Sequence, residues 1–201
     1  SVVEHALALI LALFKQLFLM DSEVRKGNFA IRYKNCPTDL RDKTLGIVGF
    51  GEIGRATAQR ARALGMRVVA TRRTCTAPRQ DVDGAHLLLP PAHLHELLRQ
   101  SDFVALCVPL TPDTERLIGE AELRAMKPTA YLINISRGRV VDEAALLSAL
   151  KEKKIAGAAL DVFEVEPLPP GSELWTLPNV IFSPHAAGGS ERYGDRATDA
   201  F

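Results

Sequence analysis

The feature that most constrains the fold of this chain is a glycine-rich turn between an apolar segment and a helical one. Residues 45–49 form a short apolar run that is typical of a buried strand, and residues 53–64 follow with helical spacing. Between them, Gly-Phe-Gly-Glu-Ile-Gly matches G-x-G-x-x-G. After a strand and before a helix, this motif is typical of a turn that binds the pyrophosphate of a dinucleotide; a turn without a ligand is the less favoured interpretation. The predicted cofactor contacts of the turn are Gly49, Gly51, Glu52, Ile53 and Gly54.

The three glycines of the turn have different expected roles. Gly49 permits a tight turn, and Gly51 lets the backbone approach a pyrophosphate. Gly54 lets the helix pack closely on the strand.

Strands and helices alternate after this turn. Further strands are predicted over residues 66–70, 87–89, 103–108, 130–134, 155–160 and 180–182. Further helices are predicted over residues 94–98, 120–126 and 142–151. This order predicts an α/β fold of the Rossmann type, with a doubly wound parallel sheet that is covered on both faces. An apolar helix over residues 2–20 and an irregular, polar segment over residues 21–43 precede the sheet.

Composition and charge exclude several classes of protein. The chain has 25 basic and 24 acidic residues, and this balance argues against a nucleic-acid binder. Cys36, Cys75 and Cys107 have no metal-binding or redox spacing, so we expect no metal site, free thiols and a cytoplasmic location. The longest uncharged run of the first helix, residues 6–14, is shorter than the ~20 residues of a membrane span. We therefore expect a buried helix that is also a candidate subunit interface.

The residues after the second strand bear on the choice of cofactor. A dinucleotide fold that prefers NAD usually has an acidic residue there, which binds the ribose 2′-hydroxyl. This chain has Thr-Arg-Arg-Thr at residues 71–74 instead. Arg72 and Arg73 are suited to a 2′-phosphate, and so the sequence favours NADP. The alternative is that both arginines are solvated and NAD binds.

Three further segments that carry charged or titratable groups follow predicted strands. They are residues 134–138 (Asn-Ile-Ser-Arg-Gly), 161–167 (Asp-Val-Phe-Glu-Val-Glu-Pro) and 183–189 (Ser-Pro-His-Ala-Ala-Gly-Gly). Because open α/β sheets bind ligands at the carboxyl ends of their strands, we expect these segments to meet at one edge.

The glycine turn and these three segments, in this order, resemble the D-isomer-specific 2-hydroxyacid dehydrogenase family, and the resemblance extends from Ser1 to Ser190. The resemblance implies that Arg137 binds the substrate and that Glu166 and His185 form an acid–base pair. It implies that Asp161 contacts the nicotinamide end of the cofactor. It also implies further cofactor contacts at Val108, Pro109, Thr114, Ile135, Ser136 and Gly188.

The chemistry of these side chains agrees with the implied reaction. Reduction of a 2-keto acid needs a hydride at the carbonyl carbon and a proton at its oxygen, and a histidine is suited to the proton transfer. A carboxylate beside it favours the imidazolium, and a guanidinium can bind the substrate carboxylate. The family pattern places the acid directly before a proline, which selects Glu166 over Glu164. The other histidines are expected at the surface or in packing: His5, His86, His93 and His95. Cys107 is expected to be a small buried residue rather than a nucleophile.

The resemblance also implies how the chain is organised. Residues 1–43 would form a helix and arm for homodimerisation, and residues 44–190 the cofactor domain. Residues 191–201 would begin a helix that returns to a substrate domain, which we expect to be missing, so that the chain alone binds cofactor with little turnover. The expected substrate is a small 2-hydroxy or 2-keto acid. The alternatives are a phosphite dehydrogenase or a non-enzymatic, NAD(H)-sensing protein similar to the family's corepressors.

Overall fold

The structure is a computed structural model that describes residues 1–34 and 39–189. Its strands are β1 (Thr44–Val48), β2 (Arg67–Thr71), β3 (Arg79–Val82), β4 (Ala85–Leu89), β5 (Phe103–Leu106), β6 (Tyr131–Asn134), β7 (Gly157–Leu160) and β8 (Val180–Phe182). Its α-helices are α1 (Val2–Phe14), α2 (Leu17–Arg25), α3 (Ile31–Lys34), α4 (Glu52–Ala63), α5 (Leu94–Gln100), α6 (Glu120–Ala125) and α7 (Glu143–Lys151). Single 3₁₀ turns cover Pro91–His93, Gly138–Val140 and Glu173–Thr176. The predicted C-terminal helix over 191–201 and Cys36 lie outside the described residues.

The strands form one sheet in the order β3-β4-β2-β1-β5-β6-β7-β8. Every neighbouring pair is parallel except β3 and β4. All residues of β1 are buried, which explains why its sequence is apolar after Thr44. One apolar cluster joins the sheet to α1 and α4, and a second joins its other face to α5, α6 and α7. The prediction of a doubly wound Rossmann-type sheet is confirmed. The strand order reverses between β1 and β5, so their carboxyl ends border the crevice where such sheets bind ligands.

The edge strand β3 was not predicted, because its sequence Arg-Gln-Asp-Val has no apolar pattern. It pairs with β4 through a two-residue turn, since Val82 faces Ala85. Both turn residues have positive φ angles, 50° at Asp83 and 97° at Gly84. Asp-Gly is the preferred sequence for such a hairpin turn, so this dipeptide was the signal that could have revealed the strand.

The prediction of an irregular segment over residues 21–43 is wrong at its start, where α2 continues to Arg25 and α3 follows it. The polar residues of α2 have helical spacing, and Arg25 Nε donates to Asp21 Oδ2 one turn away at 2.7 Å on its exposed surface. The predicted first helix is broken near Gln16, which has a φ of 51°. Among the described residues, only the consecutive pair α1 and α2 approaches the length and apolarity of a membrane span, and the two are bent by 57°.

The side chain of His86 on β4 is the hydrogen-bond acceptor for a backbone group of β2, because its Nδ1 accepts the Val68 N–H at 3.0 Å. Burial lowers the pKa of His86, and Arg62 lowers it further, against the opposing effect of Asp81. The unfolded chain therefore takes up this proton at a higher pH than the folded protein does. The contribution of His86 to the free energy of unfolding is present above about pH 6.5 and is lost as the pH falls through the folded pKa.

We expect His86→Leu to lower the free energy of unfolding by about 1–3 kcal/mol at pH 7.5, because it leaves the Val68 N–H without an acceptor. His86→Asn keeps an acceptor that does not titrate. Urea unfolding between pH 7.5 and 5 should therefore show a smaller loss of stability for His86→Asn than for the wild type. Parallel stability profiles for these two proteins would contradict the assignment.

Candidate active site

The glycine turn joins β1 to α4 at the crevice between β1 and β5. Gly49 has a φ of 100°, and a Cβ atom there would lie 2.6 Å from the carbonyl oxygen of Cys107. A Cβ atom on Gly54 would lie 2.4 Å from the carbonyl oxygen of Gly49. These two glycines are required by the protein's own packing, since any side chain would push the turn away from β5 or α4 away from the turn.

Gly51 is different, because a Cβ atom there would meet no atom of the described residues within 4 Å. Gly51 is also the N-cap of α4 and provides no side-chain cap for the first turn of that helix. The first N–H groups of α4 are therefore left to an external acceptor, and an anion is favoured at this end of a helix. The geometry fits the pyrophosphate of a dinucleotide.

Two cavities flank this turn. The first, of about 350 Å³, includes the turn, the residues after β2 and the residues after β5. Its predicted cofactor residues are Gly49, Gly51, Arg72, Arg73, Val108, Pro109 and Thr114. The second, of about 440 Å³, includes the ends of β6, β7 and β8. Its predicted site residues are Ile53, Ile135, Arg137, Asp161, His185 and Gly188. The fold thus places the two halves of the predicted site on either side of the turn.

The remaining predicted cofactor residues lie around these cavities. Glu52 is the first residue of α4 and is exposed. Ser136 is buried, and its hydroxyl donates to Asn134 Oδ1 at 2.8 Å. The Thr114 hydroxyl donates to the Pro109 carbonyl oxygen at 2.6 Å and accepts the Thr111 N–H at 2.8 Å. Ser136 and Thr114 therefore shape the loops after β6 and β5.

The two side chains of the predicted acid–base pair are in contact. His185 Nδ1 lies 2.7 Å from Glu166 Oε2, and Glu166 Oε1 accepts the Phe163 backbone N–H at 3.0 Å. Burial raises the pKa of Glu166, but the hydrogen bonds from His185 and the Phe163 N–H outweigh it and bring the pKa below its ordinary value. An ionised Glu166 makes Nδ1 the protonated nitrogen and leaves Nε2 to face a ligand. Glu164 instead lies 3.4 Å from Arg116, so the geometry also selects Glu166.

The loop that carries His185 is held by Asp161, which is fully buried. One carboxylate oxygen accepts the Ser183 hydroxyl at 2.5 Å and the Ala186 N–H at 2.9 Å, and the other accepts the Ala187 N–H at 2.9 Å. The His185 N–H donates to the Asp161 carbonyl oxygen at 2.8 Å. These bonds hold His185 at a φ of 53°, a conformation that costs a non-glycine residue about 1–3 kcal/mol.

Arg137 follows β6 and lines the same cavity as His185. Its Nη1 donates to the Ser136 carbonyl oxygen at 2.7 Å, which orients the guanidinium while its other N–H groups remain for a ligand. A fixed cation, an imidazole and a buried carboxylate therefore share one cavity beside the helix N-terminus.

The remaining histidines and Cys107 have different environments in the structure. His86 packs within the sheet, and His93 and His95 lie near the surface beside Glu96 and Glu122, as expected. His5 contacts the His185 loop through Ser183, which the sequence did not reveal. Val2, which lines the second cavity, was also missed, because α1 is distant from the site in sequence. Cys107 is half-buried and lines the first cavity, rather than being fully buried as expected. Desolvation of its thiol still raises the pKa to about 12, which agrees with the expected unreactive thiol.

The role of Gly51 can be tested by a pair of substitutions. We expect Gly51→Val to change the free energy of unfolding by less than about 1 kcal/mol, because a Cβ atom at this position has no atom of the described residues within 4 Å. It should raise the Kd for NADPH at least about 100-fold, since the side chain blocks several charge-assisted hydrogen bonds to phosphate. Gly54→Ala, the matched control, should instead lose about 1–3 kcal/mol of stability by overpacking. Tight NADPH binding by Gly51→Val would show that the cofactor does not cross this turn.

A doubly wound sheet with this turn and cavity defines a domain that binds a nicotinamide dinucleotide. Residues 7–187 match the family model described as "D-isomer specific 2-hydroxyacid dehydrogenase, NAD binding domain". The chain belongs to this family.

Individual relatives agree with this assignment. The chain is 43% identical over 202 residues to a glyoxylate reductase of Korarchaeum cryptofilum (strain OPF8), in a match that covers 99% of the chain and 60% of that relative. A probable 2-hydroxyacid dehydrogenase from Rhizobium etli CFN 42, solved with NADP, superposes with a TM-score of 0.86 at 27% identity, over 99% of this chain and 62% of that one. An NADPH-dependent glyoxylate/hydroxypyruvate reductase from Sinorhizobium meliloti superposes with a TM-score of 0.84 at 29% identity, over 98% of this chain and 95% of that one. The chain thus spans about 60% of the length of the curated relatives it matches.

Proposed function

We propose that this chain is the cofactor-binding part of an NADP(H)-dependent reductase of small 2-keto acids such as glyoxylate or hydroxypyruvate. The observation that carries the proposal is the 2.7 Å contact between Glu166 and His185, because His185 also lines the cavity that contains Arg137. The names of the relatives from Korarchaeum cryptofilum and Sinorhizobium meliloti support this substrate class.

Each side chain has a role that its geometry allows. The nicotinamide, when bound, supplies or accepts the hydride. His185 Nε2 delivers a proton to the carbonyl oxygen as charge develops there, and Glu166 stabilises the imidazolium and fixes its orientation. Arg137 binds the carboxylate of the keto acid and polarises the neighbouring carbonyl group. In the direction of oxidation, His185 accepts the proton from the hydroxyl group.

The proposed preference for NADP rests on the residues that follow β2. Arg72 and Arg73 are exposed and line the first cavity. Thr71 and Thr74 flank them, so the positions beside the two arginines in sequence carry no acidic residue that would repel a 2′-phosphate. Asp113, from the loop after β5, lines the same cavity. The NADP in the Rhizobium etli structure and the NADPH dependence of the Sinorhizobium meliloti reductase support the same choice.

We further propose that turnover requires a second lobe, because the chain spans about 60% of its glyoxylate reductase relatives. The test uses a complemented enzyme, which we define as the 201 residues joined to the unmatched part of the Korarchaeum cryptofilum reductase. The chain alone should bind NADPH with little turnover. The complemented enzyme should oxidise NADPH in the presence of glyoxylate or hydroxypyruvate.

A screen of keto acids with NADPH, and of phosphite with NADP, separates the proposed reaction from the phosphite alternative. Phosphite oxidation without keto-acid reduction would overturn the proposed substrate class. NADPH binding without turnover of any of these compounds would favour a cofactor sensor.

We also propose a homodimer that forms through α1, α2 and the residues that follow them. Several large apolar side chains of this region are exposed: Leu17, Phe18, Leu19, Val24, Phe29 and Tyr33. An apolar surface of this kind is typical of an interface. Sedimentation at micromolar concentration should give a dimer, and Phe18→Glu should shift it toward monomer. A monomeric wild type would contradict the proposal.

A further inference from the structure

The N-terminal helix reaches the loop that carries His185. His5 on α1 places Nε2 at 2.9 Å from Ser183 Oγ, across a separation of 178 residues in sequence. Ser183 Oγ lies 2.5 Å from Asp161 Oδ1, and His5 Nε2 lies 3.4 Å from the same oxygen. We call His5, Ser183 and Asp161 the α1 brace.

The direction of the hydrogen bonds in the α1 brace follows from its chemistry. The Asp161 carboxylate accepts hydrogen bonds from two backbone N–H groups. An ionised carboxylate has no proton to donate, so it must also be the acceptor in its bond with the Ser183 hydroxyl. The single hydroxyl proton of Ser183 is therefore committed to Asp161. His5 Nε2 must then carry a proton and donate it to the Ser183 oxygen.

The α1 brace acts on the loop rather than on the cofactor cavity. His5 contacts Ser183, which lies two positions before His185, and Asp161 binds the N–H groups of the two residues that follow His185. Ser1, the N-cap of α1, adds a contact farther along, because its Oγ donates to the Gly188 carbonyl oxygen at 3.3 Å. The loop is thus fixed on both sides of a residue that has an unfavourable φ of 53°.

We propose that His5 is a positioning residue for His185. By donating to Ser183, it holds the Asp161 carboxylate in the orientation that keeps His185 at its left-handed conformation and in register with Glu166. The apolar face of α1 packs against the sheet and α4, so the brace couples the docking of this helix to the geometry of the acid–base pair. This role of His5 rests on the proposed function, but the geometry of the His185 loop can be measured without turnover.

The experiment measures the His185 Nδ1 proton by NMR in the 201-residue chain. His185→Gln identifies its resonance by removing it. His5→Leu should increase the exchange rate of this proton with water about tenfold, as expected for one lost hydrogen bond that supports the loop. His5→Gln, whose amide can donate to Ser183, should restore most of the protection. His95→Leu, which removes an exposed histidine on another helix, is the matched control and should have no effect.

Ser183→Ala provides a second test, which retains α1 and its packing if His5→Leu does not fold. It should increase the exchange rate to a similar extent. Exchange within twofold of the wild type in a folded His5→Leu or Ser183→Ala protein would overturn the proposal. So would an equal increase in His95→Leu. If these variants lose protection but the complemented enzyme never reduces a keto acid, the proposed function is refuted and the α1 brace stands.

Discussion

Replacing His185 by glutamine should lower the kcat of the complemented enzyme by about 10²–10⁴-fold, the range expected for loss of a general acid–base group. The glutamine amide introduced by His185→Gln can still form a hydrogen bond with Glu166 but cannot transfer a proton. The Kd for NADPH should stay within about twofold of the wild type, because the substitution leaves unchanged the glycine turn and the arginines after β2, which line the other cavity. Steady-state kinetics and a fluorescence titration with NADPH measure the two quantities.

The matched control is His95→Gln, which makes the same substitution at a partly exposed histidine beside Glu122. It should leave kcat unchanged. Glu166→Gln should give an intermediate loss, because His185 keeps its ring but loses the carboxylate that stabilises the imidazolium. If His185→Gln retains more than about a tenth of the wild-type kcat, a group other than His185 transfers the proton.

The central sheet and the glycine turn could be predicted because their physical requirements are local. A strand buried on both faces must be largely apolar, and β1 is apolar at every position but Thr44. A turn that approaches β5 as closely as Gly49 does admits no side chain, and so the glycine is visible in the sequence. By contrast, β3 is exposed and polar, and pairing with β4 at the sheet edge stabilises it rather than burial. The only indication of this edge pairing in the sequence is the Asp-Gly dipeptide of the turn between β3 and β4.

The candidate site was predicted through its residue types more than through its contacts. Glu166 and His185 were selected by the order of the motifs, and their contact depends on how β7 and β8 end beside each other. The contact between His5 and Ser183 depends on where α1 packs across the sheet, and neither residue has neighbours in sequence that indicate it. Such long-range contacts follow from tertiary packing, which a single sequence does not specify.

Asp161 has a structural role that its motif does not indicate, because it holds the His185 loop. The resemblance implies a contact with the nicotinamide, and this stays a prediction. The structure shows that its carboxylate is engaged with the Ser183 hydroxyl and with two N–H groups of the His185 loop. Any contact with the cofactor must therefore be made by an oxygen that already holds the loop. Cofactor binding and the position of His185 would then be coupled through one buried side chain.

The largest expected effect on affinity from a side chain lies at the end of β2. The double substitution Arg72→Ala and Arg73→Ala should raise the Kd for NADPH by about 10–100-fold, which corresponds to the loss of one or two charge-assisted hydrogen bonds at an exposed site. The Kd for NADH should change less than about threefold, because NADH lacks the 2′-phosphate that these arginines would bind. Titration of the 201-residue chain with both cofactors measures the difference and does not depend on turnover.

The reverse substitution makes the test specific to this position. Arg72→Asp places a carboxylate directly after β2, where it would repel a 2′-phosphate and could accept a hydrogen bond from the ribose 2′-hydroxyl of NADH. It should therefore weaken NADPH binding more than the alanine substitutions do and improve the binding of NADH. Arg99→Ala, at an exposed arginine of α5, removes the same charge elsewhere and should affect neither cofactor. Equal losses for NADH and NADPH in the double variant would mean that the arginines attract the pyrophosphate in general, since only a selective loss identifies recognition of the 2′-phosphate.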